Sequence, residues 1–327
     1  MKKRLICTVA AVVLCFTGCG KMSYNSQTEI SKTSENSREA AELEKGADGQ
    51  VTFSDSLGRS VSVKNPQRVV TLLGSFCDEW LLAGGSVVGT ANDSFTSFEL
   101  GLGEEVVNIG SHIEPDVEKI VGLEPDFVIA SSALDSQAQL LETLEKAGIT
   151  VAFFEVNSFN DYLDTLKIFT EITGHEELYE EYGTKVQKEI AAAKSQIDGR
   201  KPTVLFVRAS ASSVKVKKST GTVGGEILAD LDTVNIADSG SVLEDLSMEA
   251  IVAADPDYIF VTTQGSDTDA AMANVKKLMT DNPAWSSLRA VSDGNYYVID
   301  KALYNSKPNA RWGEAYQRLA DIIYPRS

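Results

Sequence analysis

The chain has 327 residues, with 30 basic and 47 acidic side chains and a formal net charge of -17. Nucleic acid needs basic patches on its partner, so this balance excludes a nucleic-acid-binding role. It also argues against direct docking on anionic lipid, and it suits a basic protein partner.

The chain opens Met1-Lys2-Lys3-Arg4 and then runs apolar from Leu5 to Phe16. This is the positive region and short apolar region of a secretory signal. Twelve residues are too few to span a bilayer as a mature helix. The run ends Phe16-Thr17-Gly18-Cys19, which resembles a bacterial lipobox with Phe16 where Leu is usual. The resemblance implies loss of residues 1–18 and lipidation of Cys19. Acyl chains, at about 0.8 kcal/mol per buried methylene, would hold the domain on the extracytoplasmic face of the cell membrane. Losing Lys2, Lys3 and Arg4 leaves 27 basic residues against 47 acidic ones. Of the four cysteines, Cys7 and Cys15 lie in the signal and Cys19 ends it. Cys77 alone remains in the folded part, so no intrachain disulfide can form there. It reads as a small buried apolar residue.

From residue 19 to 50 Ser, Asn, Glu, Lys and Thr dominate, which predicts a disordered tether. About 30 flexible residues reach roughly 30 Å. Val51–Val63 predicts a hairpin turning at Leu57-Gly58-Arg59. Arg68–Leu73 predicts a buried strand, followed by a helix through Leu82 capped by Ser75 with Asp78. Val87–Thr90 is a further strand, leading into a loop at Asn92–Phe95. Later come a helix over Gln137–Ala147, a strand at Thr150–Phe154 and a helix over Asp161–Thr173. Strands alternating with helices imply an α/β fold with a mostly parallel sheet. The longest helical pattern, Glu176 to Ile197, carries apolar residues at Leu178, Tyr182, Val186, Ile190, Ala193 and Ile197. At 1.5 Å per residue it would be about 33 Å long and could bridge two lobes stiffly. A second lobe follows: a strand at Thr203–Val207, helices at Gly224–Leu231 and Ala270–Thr280, a strand at Asn295–Ile299 and a closing helix at Ala310–Tyr324. The expected division is a lobe at 51–175, the joining helix at 176–199 and a lobe at 200–327.

Glu118-Lys-Ile-Val-Gly-Leu-Glu-Pro-Asp-Phe-Val-Ile-Ala130 recurs loosely as Glu249-Ala-Ile-Val-Ala-Ala-Asp-Pro-Asp-Tyr-Ile-Phe-Val261. Each copy predicts a helix, a Pro-Asp stop and a buried strand. Two such units predict two similar lobes, a ligand between them and one Glu early in a helix of each lobe.

Several phrases together resemble the vitamin B12- and ferric-siderophore-type (class III) substrate-binding proteins of ABC importers. They are Ser54-Asp-Ser-Leu-Gly-Arg59, Asn65-Pro-Gln-Arg-Val69, Asn108-Ile-Gly110 before Glu114-Pro-Asp-Val-Glu118, Leu123-Glu-Pro-Asp-Phe-Val128, and Asn235-Ile-Ala237 before Leu246-Ser-Met-Glu249. The similarity covers about residues 51 to 325. It implies two Rossmann-like lobes joined by one rigid helix, matched here by Glu176–Ile197. It also implies a monomer that hands its ligand to a permease dimer with its ATPase. In that family a Glu on each lobe docks onto permease arginines; the matching positions are Glu118 and Glu249.

Ligands of parallel α/β sheets meet loops at the carboxyl ends of strands. The first-lobe candidates are Ser75, Phe76 and Cys77, then Asp93, Ser94 and Phe95, then Ser111 and His112, and last Ser131 and Ser132. In the second lobe they are Arg208, Ser210, Thr222, Thr263, Gln264, Tyr304 and Asn305. Arg208 ends a buried strand, where a guanidinium can fork onto carboxylate, catecholate or phosphate oxygens; an internal salt bridge is the other reading. Tyr304 matches a place where the family sets an aromatic over the ligand; core packing is the other reading. In haem-binding members an iron ligand can come from the loop matching His112. The second ligand place holds Gln264 here, and Ile113 stands where Met can serve. Lys301 and Lys307 read as solvated cations. No Ser-His-Asp set, metal-binding spacing or phosphate-cradling Gly loop appears. The expected function is therefore capture and release of a ferric siderophore or similar iron complex, with a corrinoid or haem as alternative. No catalysis, resident metal or cofactor is expected.

Overall fold

The structure is a computed structural model that describes residues 43–239 and 247–326. The signal, Cys19 and most of the expected tether lie outside the described residues, as does Leu246 of the last family phrase. The described chain starts with a three-stranded antiparallel sheet, β1 (Glu44–Lys45), β2 (Val51–Ser54) and β3 (Ser60–Val63). Pairing therefore begins at Glu44, before the boundary at 51 that composition suggests. Lys45 helps fix this edge, with its Nζ 3.0 Å from Glu171 and 2.5 Å from Glu176.

The first lobe is a five-stranded parallel sheet: β4 (Val69–Thr71), β5 (Gly89–Thr90), β6 (Val107–Asn108), β7 (Phe127–Ser131) and β8 (Thr150–Phe154), in the order β6-β5-β4-β7-β8. Every residue of β7 is buried, as a strand covered on both faces requires. Strand order reverses between β4 and β7, so a crevice opens where those two strands end.

The second lobe holds β9 (Thr203–Ala209), β10 (Val214–Lys217), β11 (Val234–Asn235), β12 (Tyr258–Thr263) and β13 (Tyr296–Ile299). β12 lies parallel between β9 and β13. The other edge of β9 is shared, parallel to β11 at its start and antiparallel to β10 at its end. The reversal here falls between β9 and β12.

The joining helix spans Glu177–Tyr179 and Lys185–Lys194, with a π-helical turn at Glu180–Thr184 between them. Gly183 in that turn faces the helix Phe159–Thr173; a Cβ there would lie 3.1 Å from Leu163 Cδ2. The closing helix Trp312–Ile323 crosses the joining helix at Gly313, where a Cβ would meet Glu189 Cβ at 2.7 Å. One apolar core runs through this junction. It joins Phe76, Phe154 and Phe169 of the first lobe, Val186 and Ile190 of the joining helix, and Phe206, Phe260 and Tyr316 of the second lobe. The outer face of each sheet has its own core.

The sequence repeat is a structural repeat. Asp116 caps the helix Val117–Gly122 and Ser247 caps the helix Met248–Ala254. Both units then turn through a left-handed residue, Glu124 (φ 47) and Asp255 (φ 40). The following aspartates bind the start of the neighbouring strand. Asp126 accepts from the backbone N–H of Gln67 and Arg68, and Asp257 from that of Thr203.

Candidate ligand cleft and docking faces

The carboxyl ends of the two sheets face a cavity of about 110 Å³ whose lining includes Val156 and Asn157 from the first lobe and Arg208, Thr222, Tyr304 and Lys307 from the second. Arg208 is half-buried. Among the described residues it has no hydrogen bond or ion pair, so none of their acids forms an internal salt bridge with it. Burial lowers its pKa, the mark of a cation short of counter-charge. Tyr304 lines the same cavity but its hydroxyl donates to the carbonyl of Ala315 at 3.0 Å. It is thus a core residue that shows the cleft only part of its ring. Thr222 caps the helix Val223–Asp230.

The β9–β10 pairing adds two cations that the sequence reading passed over. Lys215 stands opposite Arg208 and Lys217 opposite Phe206. Cross-strand partners share a face, so Phe206, Arg208, Lys215 and Lys217 lie on one side of the sheet. The signal was present, because Val214-Lys-Val-Lys217 alternates with period two.

The first-lobe wall is built differently. The expected Ser75 cap does not form. The helix Gly74–Leu82 has no cap from its own flank, and Asp93 Oδ2 accepts from Gly74 N at 2.9 Å instead. His112 is half-buried beside the same carboxylate, Nδ1 to Oδ2 3.8 Å. Phe95 lies on the short helix Asp93–Thr96, partly exposed. Phe76 is fully buried against Phe154, and Lys307 Nζ sits 5.3 Å from its ring centroid. Ser131 is buried, with its N–H donating to Gln137 Oε1 at 2.7 Å. Gln137 Nε2 donates to the carbonyls of Leu72 and His112, both at 2.8 Å. One buried amide thus ties together the three loops that form this wall. Sequence reading placed Gln137 only as the start of a helix, because nothing local marks a long-range amide.

Other candidates are committed elsewhere. Ser210 Oγ accepts from Ser213 N at 3.0 Å and closes the β9–β10 turn. Gln264 is exposed past the end of β12. Cys77 is buried beside the hydroxyls of Thr71, Thr90 and Ser94, and burial raises its pKa. Lys301 Nζ donates to the Gly265 carbonyl at 3.0 Å.

Beneath the cleft the lobes meet through polar groups that the sequence did not flag. Asn309 is fully buried at φ 48 and its Nδ2 donates to Ser75 O and Asp78 Oδ2, both at 2.8 Å. Glu79 is fully buried, with neither carboxyl oxygen hydrogen-bonded among the described residues. Burial holds its pKa well above the usual carboxylate range; Lys307 opposes that shift and Asp78 adds to it. Burial in turn lowers the pKa of Lys307.

Glu118 and Glu249 are both exposed and both occupy the second position of their helices. Neither has an ion-pair partner among the described residues. No described helix is long and apolar enough to cross a membrane.

The model of one protein family, described as periplasmic binding protein, matches residues 70–303. The iron(3+)-hydroxamate-binding protein FhuD of Bacillus subtilis is 28% identical, over 81% of this chain and 83% of its own. The Fe(3+)-citrate-binding protein YfmC of the same organism is 26% identical, over 76% of this chain and 77% of its own. The crystal structure of an ABC transporter substrate-binding protein from Listeria monocytogenes superposes with a TM-score of 0.64 at 21% identity, covering 80% of this chain and 100% of that one.

Proposed function

This chain belongs to the periplasmic binding protein family, and from that premise we propose that it is a membrane-anchored receptor of an ABC importer that captures a ferric siderophore or similar iron complex between its lobes. The observation that carries the ligand class is Arg208: a half-buried cation at the lobe-spanning cavity with no internal partner among the described residues. Acceptor oxygens of an iron chelate would supply that partner. The names of two relatives, a hydroxamate- and a citrate-binding protein for ferric iron, support the reading. Pockets for ligands of this size hold roughly 300–1,000 Å³, so in this reading the ligand occupies a cleft wider than the cavity of about 110 Å³ seen here.

In this reading the receptor is a monomer held by lipid on Cys19, with the segment to residue 50 as tether and residues 176–199 as the strut between the lobes. Arg208 grips the ligand. His112, Phe95, Ser75, Phe76, Ser131, Tyr304, Ser210 and Gln264 surround or support the cleft. Glu118 and Glu249, fixed at matching helix positions, fit two basic sockets of a permease dimer and orient the receptor on it. The chemistry is capture and release, with no covalent change. Corrinoid or haem is the alternative cargo, and His112 at the cleft edge is what favours haem.

Tryptophan-fluorescence titration against ferric siderophores, haem and cobalamin tests the receptor reading; no response to any of them overturns it. Glu118→Ala combined with Glu249→Ala should leave ligand affinity intact and abolish uptake. Unchanged uptake rejects the docking assignment.

A further inference from the structure

On or beside the second lobe several basic side chains find acids, whereas Lys218, Lys277 and Lys301 have no ion pair among the described residues. Lys194 reaches Asp230 at 2.6 Å, Lys201 reaches Asp232 at 2.9 Å and Arg289 reaches Asp257 at 3.1 Å. That is what a chain of net charge -17 leads one to expect. The β9–β10 face differs in gathering three cations on one side of the sheet. Arg208, Lys215 and Lys217 stand side by side on it by strand register, and none has an ion pair among the described residues. Lys217 is half-buried, so water screens the repulsion only in part. Burial lowers its pKa, and the charges of Arg208 and Lys215 lower it further. Lys307, a further second-lobe cation at the same cavity, already feels Glu79, Glu155 and Asp93. The open charge is therefore the row of three, not the cleft as a whole.

We propose that this row is a polyanion subsite: the cargo is a multiply anionic ferric chelate whose carboxylate or catecholate oxygens supply the counter-charge that the β9–β10 face lacks. The proposal rests on the receptor reading above and deepens it. Ionised oxygens at ammonium and guanidinium groups form strong, charge-assisted hydrogen bonds. A neutral ferric trihydroxamate or a corrinoid would leave much of the row unmatched, and haem, with two propionates, would match two of its three cations. Long-range attraction of an anion to the row would also speed encounter and make binding salt-dependent.

The test uses the purified protein and four probes in fluorescence titration: ferric citrate, a ferric tris-catecholate, a neutral ferric trihydroxamate, and haem or cobalamin as the non-chelate arm. The expected order places one of the two anionic chelates first, and which of them wins identifies the source of the oxygens. Lys215→Gln with Lys217→Gln should weaken that ligand by about ten-fold or more and flatten its salt dependence, with trihydroxamate binding unmoved. Lys188→Gln, a cation on the joining helix, serves as the control for net charge and should change nothing. Tightest binding of the trihydroxamate, haem or cobalamin overturns the polyanion proposal while the receptor reading stands. So does a double variant that binds the anion as well as the parent. Binding of no probe at all removes both.

Discussion

The two lobes repeat one helix–turn–strand unit, down to a left-handed residue before the proline and an aspartate that ties the next strand. They nevertheless present unlike walls to the cleft. The first-lobe wall is tied by internal hydrogen bonds and carries a carboxylate: Gln137 clamps three loops, and Asp93 Oδ2 caps the helix that follows β4. The second-lobe wall is cationic, with Arg208 lining the cavity and Lys215 and Lys217 on the same face of the sheet beside it, none with an ion pair among the described residues. The shared unit sets architecture and docking geometry. The unshared strand β10, antiparallel in an otherwise parallel arrangement, sets charge. Stability is thus concentrated in one wall and binding energy in the other.

Substitutions can break or sharpen that contrast. The largest effect is expected for Gln137→Leu, which strands the Leu72 and His112 carbonyls and the Ser131 N–H in the interior. Buried unsatisfied groups cost about 1–3 kcal/mol each, so urea unfolding should show a loss of about 3 kcal/mol or more. A loss below about 1 kcal/mol would mean that the first-lobe wall is not held by this amide. Next, Arg208→Gln should weaken ligand binding by about 2 kcal/mol, roughly 30-fold, with the denaturation midpoint unchanged or raised. A lowered midpoint with intact affinity would reverse the division between the walls.

Glu79 at the junction gives a pH signature. Its pKa in the folded state lies above the ordinary 4.5, so the folded state holds a proton that the unfolded state releases. Its contribution to stability is complete below about pH 4.5 and is lost as pH rises through the folded-state value. Glu79→Gln should therefore gain on the parent as pH increases above 4.5. A stability difference that stays flat with pH would show that the carboxyl is ionised and solvated. The smallest effect is expected at the paired docking positions. Glu118→Ala with Glu249→Ala should shift Tm by no more than about 2 °C, because both side chains are exposed. A larger drop would assign them to the fold.

Periodicity carried much of the architecture. Thr150–Phe154 is a strand at the residues that its apolar run predicts, and the hairpin at Val51–Val63 turns where expected. The joining helix is helical where the three-four spacing puts it, but the π turn at Glu180–Thr184 is invisible to a fixed period. The single helix expected over Gln137–Ala147 is two short ones, because Gln137 is drawn inward to bond three loops. Among the site residues, Arg208 was legible because a charge at the end of an apolar strand is conspicuous. Tyr304 was only half legible. Its place near the ligand followed from family resemblance, while its hydroxyl bond to Ala315 depends on a helix that folds back across it.

By itself the sequence determined what local spacing encodes: the signal-like start, the alternation of strands and helices, the repeated unit and the two glutamates at matching helix positions. Only the tertiary structure decided what depends on residues far apart in the chain. It brought Asn309 to Ser75 and Asp78 across the lobe junction, and among the described residues it left the buried Glu79 carboxyl without a hydrogen bond and the cations of β9 and β10 without acids. The physical reason is that periodicity reports which face of an element is apolar, whereas hydrogen-bond satisfaction and charge balance are properties of whichever elements come to lie against that face.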